Sequence, residues 1–163
     1  MRLRQLFKRK DQLPMREQWR LTARYKGTDI IAKVIEGENL IATVGKNHVG
    51  DMLMDKAGYD TGLTIQAIGS DNTAVNVADT TLTVEEARKA VTFKSRLVNV
   101  VTFSTFFTAG ESTYNIKEAG IFGHSTAVAE TPDSGVLFSH WLVAFDNSGG
   151  TYDLTFDYIL TIG

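Results

Sequence analysis

Three histidines are the side chains best suited to bind a metal or transfer a proton, because the chain of 163 residues contains no cysteine. His48 falls in a predicted helix, His124 in a predicted loop and His140 in a predicted strand. None of these positions gives the short His-to-His spacing that brings ring nitrogens to one metal ion. We therefore predict structural roles for all three, with no bound metal and no cofactor.

The acidic residues offer little more for catalysis. Glu85–Lys89 combines two acidic with two basic side chains, a pattern typical of a solvated surface. Asp153 and Asp157 lie about 13 Å apart if their segment is extended, at ~3.3 Å per residue, which is too far for the common glycosidase pairs. No serine stands in a Gly-x-Ser-x-Gly context, and no glycine-rich phosphate loop occurs. These observations predict a protein that is not an enzyme.

The elements that must position these residues are mostly strands. In Thr151–Ile162 large apolar side chains alternate with mostly polar ones, as in a half-buried antiparallel strand. Arg96–Phe107 and Gly135–Phe145 are rich in β-branched and aromatic residues, which favours central strands. Asn and Gly in the loop Asp146–Gly150 predict a hairpin between the last two strands.

Shorter segments complete the predicted fold. We expect strands at Leu63–Ile68, Tyr114–Phe122 and Ala90–Lys94, and a strand pair formed by Ile30–Ile35 and Asn39–Thr43. One helix is expected at Val44–Lys56 after Thr43 as N-cap, with a short helical turn at Val84–Lys89. Many short strands and no alternation of strands with helices indicate a mainly β fold, an antiparallel β-sandwich or flattened barrel with one short helix.

Charge divides the chain into a basic N-terminal arm, residues 1–26, and a β-sandwich domain, residues 27–163. The arm carries a net charge of +7 and the rest a net charge of −9. Such an arm is either a solvated tail or a docking element for an acidic surface, and its few aromatics favour a protein partner over nucleic acid. Alternation from Trp19 to Tyr25 is typical of a strand, whereas Pro14 equally allows a helix start. The expected docking residues are Arg2, Arg4, Lys8, Arg9, Lys10 and Trp19.

Targeting segments are not evident. No window approaches the roughly 18 apolar residues of a membrane span, and the first ten residues lack the apolar centre of a signal peptide. We expect a soluble protein made in a cytosol, without a membrane partner.

The order of several short motifs is more informative than any one of them. The order begins with the sequence 39–45, a short amphipathic segment, the strand 63–70 and Asp79–Arg88. It continues with Tyr114–Gly123 and Gly135–Ser139. This order, over residues 39–162, resembles that of small tailed-bacteriophage virion proteins, including the N-terminal domains of tail-fibre and collar proteins. Their strands "I-x-E-x-G-L-F" and "G-x-L-F-A" are similar to Ile116–Phe122 and Gly135–Ser139 here.

Physical arguments give these motifs structural roles. Gly120 inside a strand indicates a bulge or a close backbone approach, and Gly69 ends a strand at a turn. A pairing of Glu85 or Glu118 with Arg88 or Arg96 would fix the loop 69–83 onto the sheet. An exposed strand carboxylate is the alternative for Glu118.

The resemblance implies a non-enzymatic structural component of a virion, assembled in the host cytoplasm. Because this chain ends at Gly163, without the long extension of fibre and collar proteins, we expect a decoration or adaptor protein on the capsid or tail lattice. One alternative is a carbohydrate-binding or receptor-binding module using Trp141, Tyr114 and Tyr152. Another is a β-rich hydrolase, for which no nucleophile can be named.

Apolar residues on both faces of two predicted strands indicate self-association. One small sandwich has difficulty covering them all, and exposed apolar area usually marks an interface. The expected interface residues are Phe106, Trp141, Val143 and Phe145. We predict a closed homo-oligomer, a trimer by analogy with the virion proteins, that also contacts capsid or tail subunits.

Overall fold

Period-two patterning dominates the chain, and the computed structural model, which describes residues 14–163, is mainly β. The ten strands are β1 (Met15–Tyr25), β2 (Ile31–Glu38), β3 (Leu40–Ile41), β4 (Leu63–Gly69), β5 (Glu85–Ala90), β6 (Phe93–Leu97), β7 (Val100–Phe107), β8 (Asn115–Gly123), β9 (Val136–Asp146) and β10 (Tyr152–Ile162). Helix α1 (Thr43–Leu53) follows β3, and a single 3-10 turn (Ala109–Glu111) follows β7. All strand pairs are antiparallel, as the sequence predicts.

Two five-stranded sheets pack in a sandwich-like arrangement. Sheet A has the strand order β2-β1-β10-β7-β6, and sheet B has the order β3-β9-β8-β4-β5. Between them lies an aromatic centre, in which Trp141 stacks on Trp19 at 6.4 Å and on Tyr158 at 5.9 Å between ring centroids. Such buried rings contribute much of a core's apolar area.

Strand β1 corrects the prediction of a separate arm. It pairs along its whole length with β10, from Met15 opposite Ile162 to Tyr25 opposite Tyr152, and β2 lies on its other side. Alternation places Leu21 on the inner face, where it is fully buried. Residues 15–25 therefore belong to the sandwich, and the predicted boundary at residue 26 is wrong for them.

Two predicted strand pairs are wrong because the chain changes sheets. β9 belongs to sheet B and β10 to sheet A, so the loop between them crosses the sandwich rather than closing a hairpin. Asn147 holds this crossing: its side chain donates to Ser112 Oγ and to the Tyr152 carbonyl, and accepts from the Tyr152 N–H. β2 and β3 likewise separate, to sheet A and sheet B.

The segment predicted as one strand from residue 96 to 107 contains a turn. β6 ends at Leu97, Val98 takes a positive φ of 55°, and β7 returns from Val100. The predicted helical turn at 84–89 is also wrong. These residues form β5, because strand alternation turns Ala87 toward the core and Arg88 toward the opposite face of sheet B.

The outer face of sheet B is covered by α1 and by the long loops before β5 and β9. Helix α1 lies against β9 because Gly45 has no side chain; a Cβ there would overlap the Phe138 carbonyl. Ala42, rather than the predicted Thr43, occupies the N-cap position, without a side-chain cap. A second apolar cluster under this cover contains Ala42, Ile65, Ala67, Leu82, Phe122 and Leu137.

Candidate functional site

The residues of separate sequence motifs come together on the outer face of sheet B. Gly69 lies opposite Glu118, and Ala67 lies between Arg88 on one neighbouring strand and Gly120 on the other. This set, which we call the motif cluster, consists of Gly69, Glu85, Arg88, Glu118 and Gly120. Strand alternation directs Gly69, Arg88, Glu118 and Gly120 to one face. The register shift between β4 and β5, where Ile68 pairs with Ala87 and Gly69 with Glu85, brings Glu85 to the same face as Arg88.

Glu118 is the most connected carboxylate of the motif cluster. Its oxygens accept hydrogen bonds from the backbone N–H groups of Thr83, at 3.0 Å, and Val84, at 2.7 Å. Its Oε2 also lies 2.8 Å from His140 Nε2, while His140 Nδ1 lies 2.8 Å from Asp79 Oδ2. Glu118 is 1% exposed. The loop that contains Asp79 is thus attached to sheet B through Glu118 and His140.

Charge explains this arrangement. Burial alone would raise the pKa of Glu118, but hydrogen bonds from His140 and from two backbone N–H groups outweigh it and lower that pKa. Burial alone would lower the pKa of His140, but Glu118 and Asp79 raise it. Because each ring nitrogen faces a carboxylate, both nitrogens carry protons when His140 is an imidazolium. A buried cation then lies between two anions.

The glycines of the motif cluster leave room for these contacts. A Cβ on Gly69 would lie 2.6 Å from Glu118 Oε1 and would overlap the Val84 carbonyl. A Cβ on Gly120 would lie 2.9 Å from the side chain of Leu82. Gly120 thus gives room to the leucine side chains that pack on sheet B, rather than mainly to an approaching backbone.

Arg88 attaches a second loop, residues 124–135. Its Nε and Nη2 donate to the two oxygens of Glu85 at 2.7 and 3.0 Å, a bidentate pair in which each side chain is 3% exposed. Its Nη1 donates to the carbonyls of Val128, Thr131 and Ser134, at 2.8 to 3.1 Å. The guanidinium therefore joins three carbonyls of the loop to β5.

The predicted fixing of loop 69–83 by a carboxylate is thus present, with different partners. Glu118 holds the end of that loop through backbone N–H groups, without an arginine. The Glu85–Arg88 pair holds the other loop, and Arg96 donates to the Val98 carbonyl in its own turn. Glu118 is not the exposed strand carboxylate that the sequence left open.

A second polar cluster, between the two sheets, was not predicted. Tyr158 donates a short hydrogen bond to Glu17, and Ser139 Oγ donates to Glu17 Oε2 at 2.9 Å. Burial raises the pKa of Glu17 to about 7, against the opposing effect of these two hydroxyl donors. The signal was available in β1: Glu17 shares its alternation phase with Trp19 and Leu21, so it must face the core.

The histidines do not converge on one point. His48 is fully buried, and neither of its ring nitrogens has a hydrogen-bond partner. Its ring and that of His124 lie on either side of Tyr59, at 4.9 and 4.6 Å between centroids. Burial, with a further contribution from His124, lowers the pKa of His48. Within residues 14–163 no group of three His, Asp or Glu side chains is placed to hold a metal ion.

Most of the predicted interface residues belong to the core. Trp141, Val143 and Phe145 are buried between the sheets at 1%, 5% and 7% exposure, so their prediction as a free surface is wrong. Sheet A covers them. The sequence does not predict β1 as a strand of this sheet, because residues 1–26 have the charge of an arm. Trp19 is buried with them and is not an arm docking residue. Phe106 is 38% exposed, on the outer face of sheet A.

The remaining arm residues predicted to dock lie outside the described residues: Arg2, Arg4, Lys8, Arg9 and Lys10.

An open groove runs between the edges of the two sheets. It has a volume of about 730 Å³, and its apolar lining is Trp19, Ile35, Leu142, Val143, Ala144 and Phe145. Val143 and Phe145 thus form its floor while belonging to the core. Glu36, Asp146 and Lys117 lie at its rim. We call this the edge groove.

Comparison of the chain with known protein families, with curated proteins and with solved structures found no match. Across residues 14–163, no helix has the length and apolar character needed to span a membrane.

Proposed function

We propose that this chain is a non-enzymatic structural component of a tailed-phage virion, a small decoration or adaptor subunit that docks on the capsid or tail lattice. The observation that supports this most is the motif cluster. Residues on which the resemblance to virion proteins depends, from separate parts of the chain, are neighbours on one face of sheet B and fix its covering loops.

The chemistry of the buried polar groups agrees with a structural role. Glu118 and His140 bind each other and the backbone of the covering loop, and Arg88 is held by Glu85 and by loop carbonyls. Ser139, the serine next to His140, points to the other face of sheet B and donates to Glu17. Ser139 and His140 therefore cannot act together as nucleophile and base, because their side chains lie on opposite faces of β9.

The proposal includes self-association, with a trimer as the expected form, and contacts with capsid or tail subunits after synthesis in the host cytoplasm. The receptor-binding alternative needs Trp141 as a stacking platform. Trp141 is 1% exposed, which argues against that alternative.

Particles purified from the source test this proposal. We expect mass spectrometry to find the chain in a fixed ratio to a major capsid or tail subunit. Negative-stain images with a specific antibody should then show label at symmetry-related positions. Absence of the chain from intact, infectious particles would overturn the proposal, and selective binding of the isolated protein on a glycan array would favour a receptor-binding module instead.

A further inference from the structure

The edge groove lies where one edge of a strand in each sheet has no partner strand among the described residues. β3 pairs with β9 only at Leu40 opposite His140 and Ile41 opposite Ser139. Beyond His140, no described strand lies on that side of β9, and β2 is the terminal strand of sheet A on the same side of the sandwich. Unpaired edges of this kind accept an added extended segment.

We propose that the edge groove binds the N-terminal segment, residues 1–13, of a second copy of this chain. The inference rests on the proposed function, since it names the contact by which such subunits would associate. Bound there in an extended conformation, the segment would lie beside Leu142–Asp146 of β9, continuing the line of the short strand β3.

Length and pattern match this occupant. Thirteen extended residues span about 43 Å and the unpaired part of β9 about 17 Å, at ~3.3 Å per residue. In an extended segment Leu3 and Phe7 would share one side, which carries charge only at Arg9 and Asp11. Arg2, Arg4, Lys8 and Lys10 would share the other side with Leu6. The apolar side fits the floor of the groove, and the basic side would face solvent and the rim.

Charge favours the same occupant. Residues 1–13 carry a net charge of +4, and the remaining residues carry a net charge of −6. At the rim itself the charges are mixed: Glu36 is paired with Arg20 at 2.6 Å, Lys117 lies near Asp146, and Lys33 lies over Phe145. The attraction is therefore between the net charges of the two parts of the chain. Attraction at such exposed sites is screened over about 8 Å at physiological ionic strength, so the association should weaken as salt is raised.

The geometry at Pro14 favours a second copy over the same chain. β1 begins at Met15 beside the end of β10, and a proline disfavours the helical conformation of the residue before it. A segment that precedes Met15 is attached at this end of β1. To enter its own groove it would have to reverse and pass over the connection from β2 to β3.

The absence of cysteine makes a crosslinking test direct. Two full-length variants with different tags, one with Leu6→Cys and one with Ala144→Cys, are co-expressed and treated with a short bis-maleimide. We expect a covalent species that carries both tags. The control pairs Leu6→Cys with Ser95→Cys, on the exposed edge strand β6 of sheet A, and should lose that species. A double variant that carries both Leu6→Cys and Ala144→Cys is treated alone. A crosslinked monomer from it reports binding within one chain.

Each outcome decides the proposal. Crosslinked monomer from the double variant, without a two-tag species from the mixed pair, would overturn it in favour of self-binding. Equal crosslinking of the Ser95 control, or none in any pair, would overturn it as well. Deletion of residues 2–10 should lower the mass measured by light scattering to that of a monomer, with an unchanged circular dichroism spectrum. Because these measurements use the isolated protein, their failure would leave its presence in virions, tested separately on particles, unaffected.

Discussion

Two buried glutamates, which contact opposite faces of β9, have pKa values shifted in opposite directions, although both are removed from solvent. Glu118, under the covering loop, faces an imidazole and two backbone N–H groups, and its pKa is lowered. Glu17, between the sheets, accepts hydrogen bonds from the hydroxyls of Tyr158 and Ser139, and burial raises its pKa to about 7. Burial outweighs the hydroxyl donors at Glu17, whereas the imidazole and the two N–H donors outweigh burial at Glu118.

This difference separates two structural functions. The ionised Glu118 can hold a loop, because a charged acceptor forms strong hydrogen bonds to backbone N–H groups. Glu17 instead adds a polar contact between sheet A and sheet B, where charge would be costly.

The largest effect is expected from Glu118→Ala. The substitution leaves His140 and the N–H groups of Thr83 and Val84 without their acceptor, and breaking a buried ion pair in this way costs about 3 to 5 kcal/mol. Chemical denaturation should show this loss. The control Glu86→Ala, at an exposed position of β5 in the same sheet, should change the free energy of unfolding by less than about 0.5 kcal/mol. Equal effects of the two variants would contradict the role given to Glu118.

Glu17→Gln should have a smaller and pH-dependent effect. A raised pKa means that the native state holds the Glu17 proton more tightly than the unfolded state, so wild-type stability declines as pH rises from 4.5 to about 7. Glutamine cannot ionise, so the variant should lack this decline. At pH 8 it should be more stable than wild type by about 2 to 3 kcal/mol relative to their difference at pH 4. Parallel stability curves for the two proteins would contradict the raised pKa.

Loss of the His140 proton should loosen only one loop. Because its pKa is raised, His140 contributes stability that is full below pH 6.5 and lost as pH rises through its folded pKa. Hydrogen exchange at Thr83 and Val84 should therefore become faster at alkaline pH, after correction for intrinsic exchange rates. The loop held by Arg88 is the internal control, since its hydrogen bonds to Arg88 do not involve His140. Uniform acceleration of both loops would exclude His140 as the cause.

The smallest effect is expected from Tyr158→Phe. Loss of one hydroxyl donor removes a hydrogen bond worth about 1 kcal/mol and raises the pKa of Glu17 further. Thermal unfolding measures the first effect and an NMR titration of Glu17 the second. A lowered pKa of Glu17 in this variant would be inconsistent with Tyr158 as its donor.

Local patterns predicted most of the strands but not their partners. Alternation and β-branched content were sufficient for β4, β8, β9 and β10, which the structure contains nearly as predicted. The Asn-Gly content of the loop after β9 shows that the chain turns. It does not show that the next strand joins the other sheet, because that choice depends on contacts distant in sequence.

The candidate site divides in the same way. Alternation places Glu118 and Gly120 together on one face of β8, with the residues adjacent to them in the chain on the other face. The motif cluster was therefore partly predictable from the sequence. The joining of His140 to Asp79, and of Arg88 to the carbonyls of loop 124–135, was not predictable, since loop paths carry no periodicity. The core position of Glu17 is indicated only by its phase in β1, because the basic residues around it are equally typical of a solvated arm.

One NMR titration tests the contrast between the two glutamates most directly. With the side-chain carboxyl carbons of glutamate labelled, and Glu17→Gln and Glu118→Gln used for assignment, wild-type protein is titrated from acid to pH 8. We predict a midpoint near 7 for Glu17 and a midpoint below the usual 4.5 for Glu118. Midpoints that coincide, or that occur in the reverse order, would contradict the account.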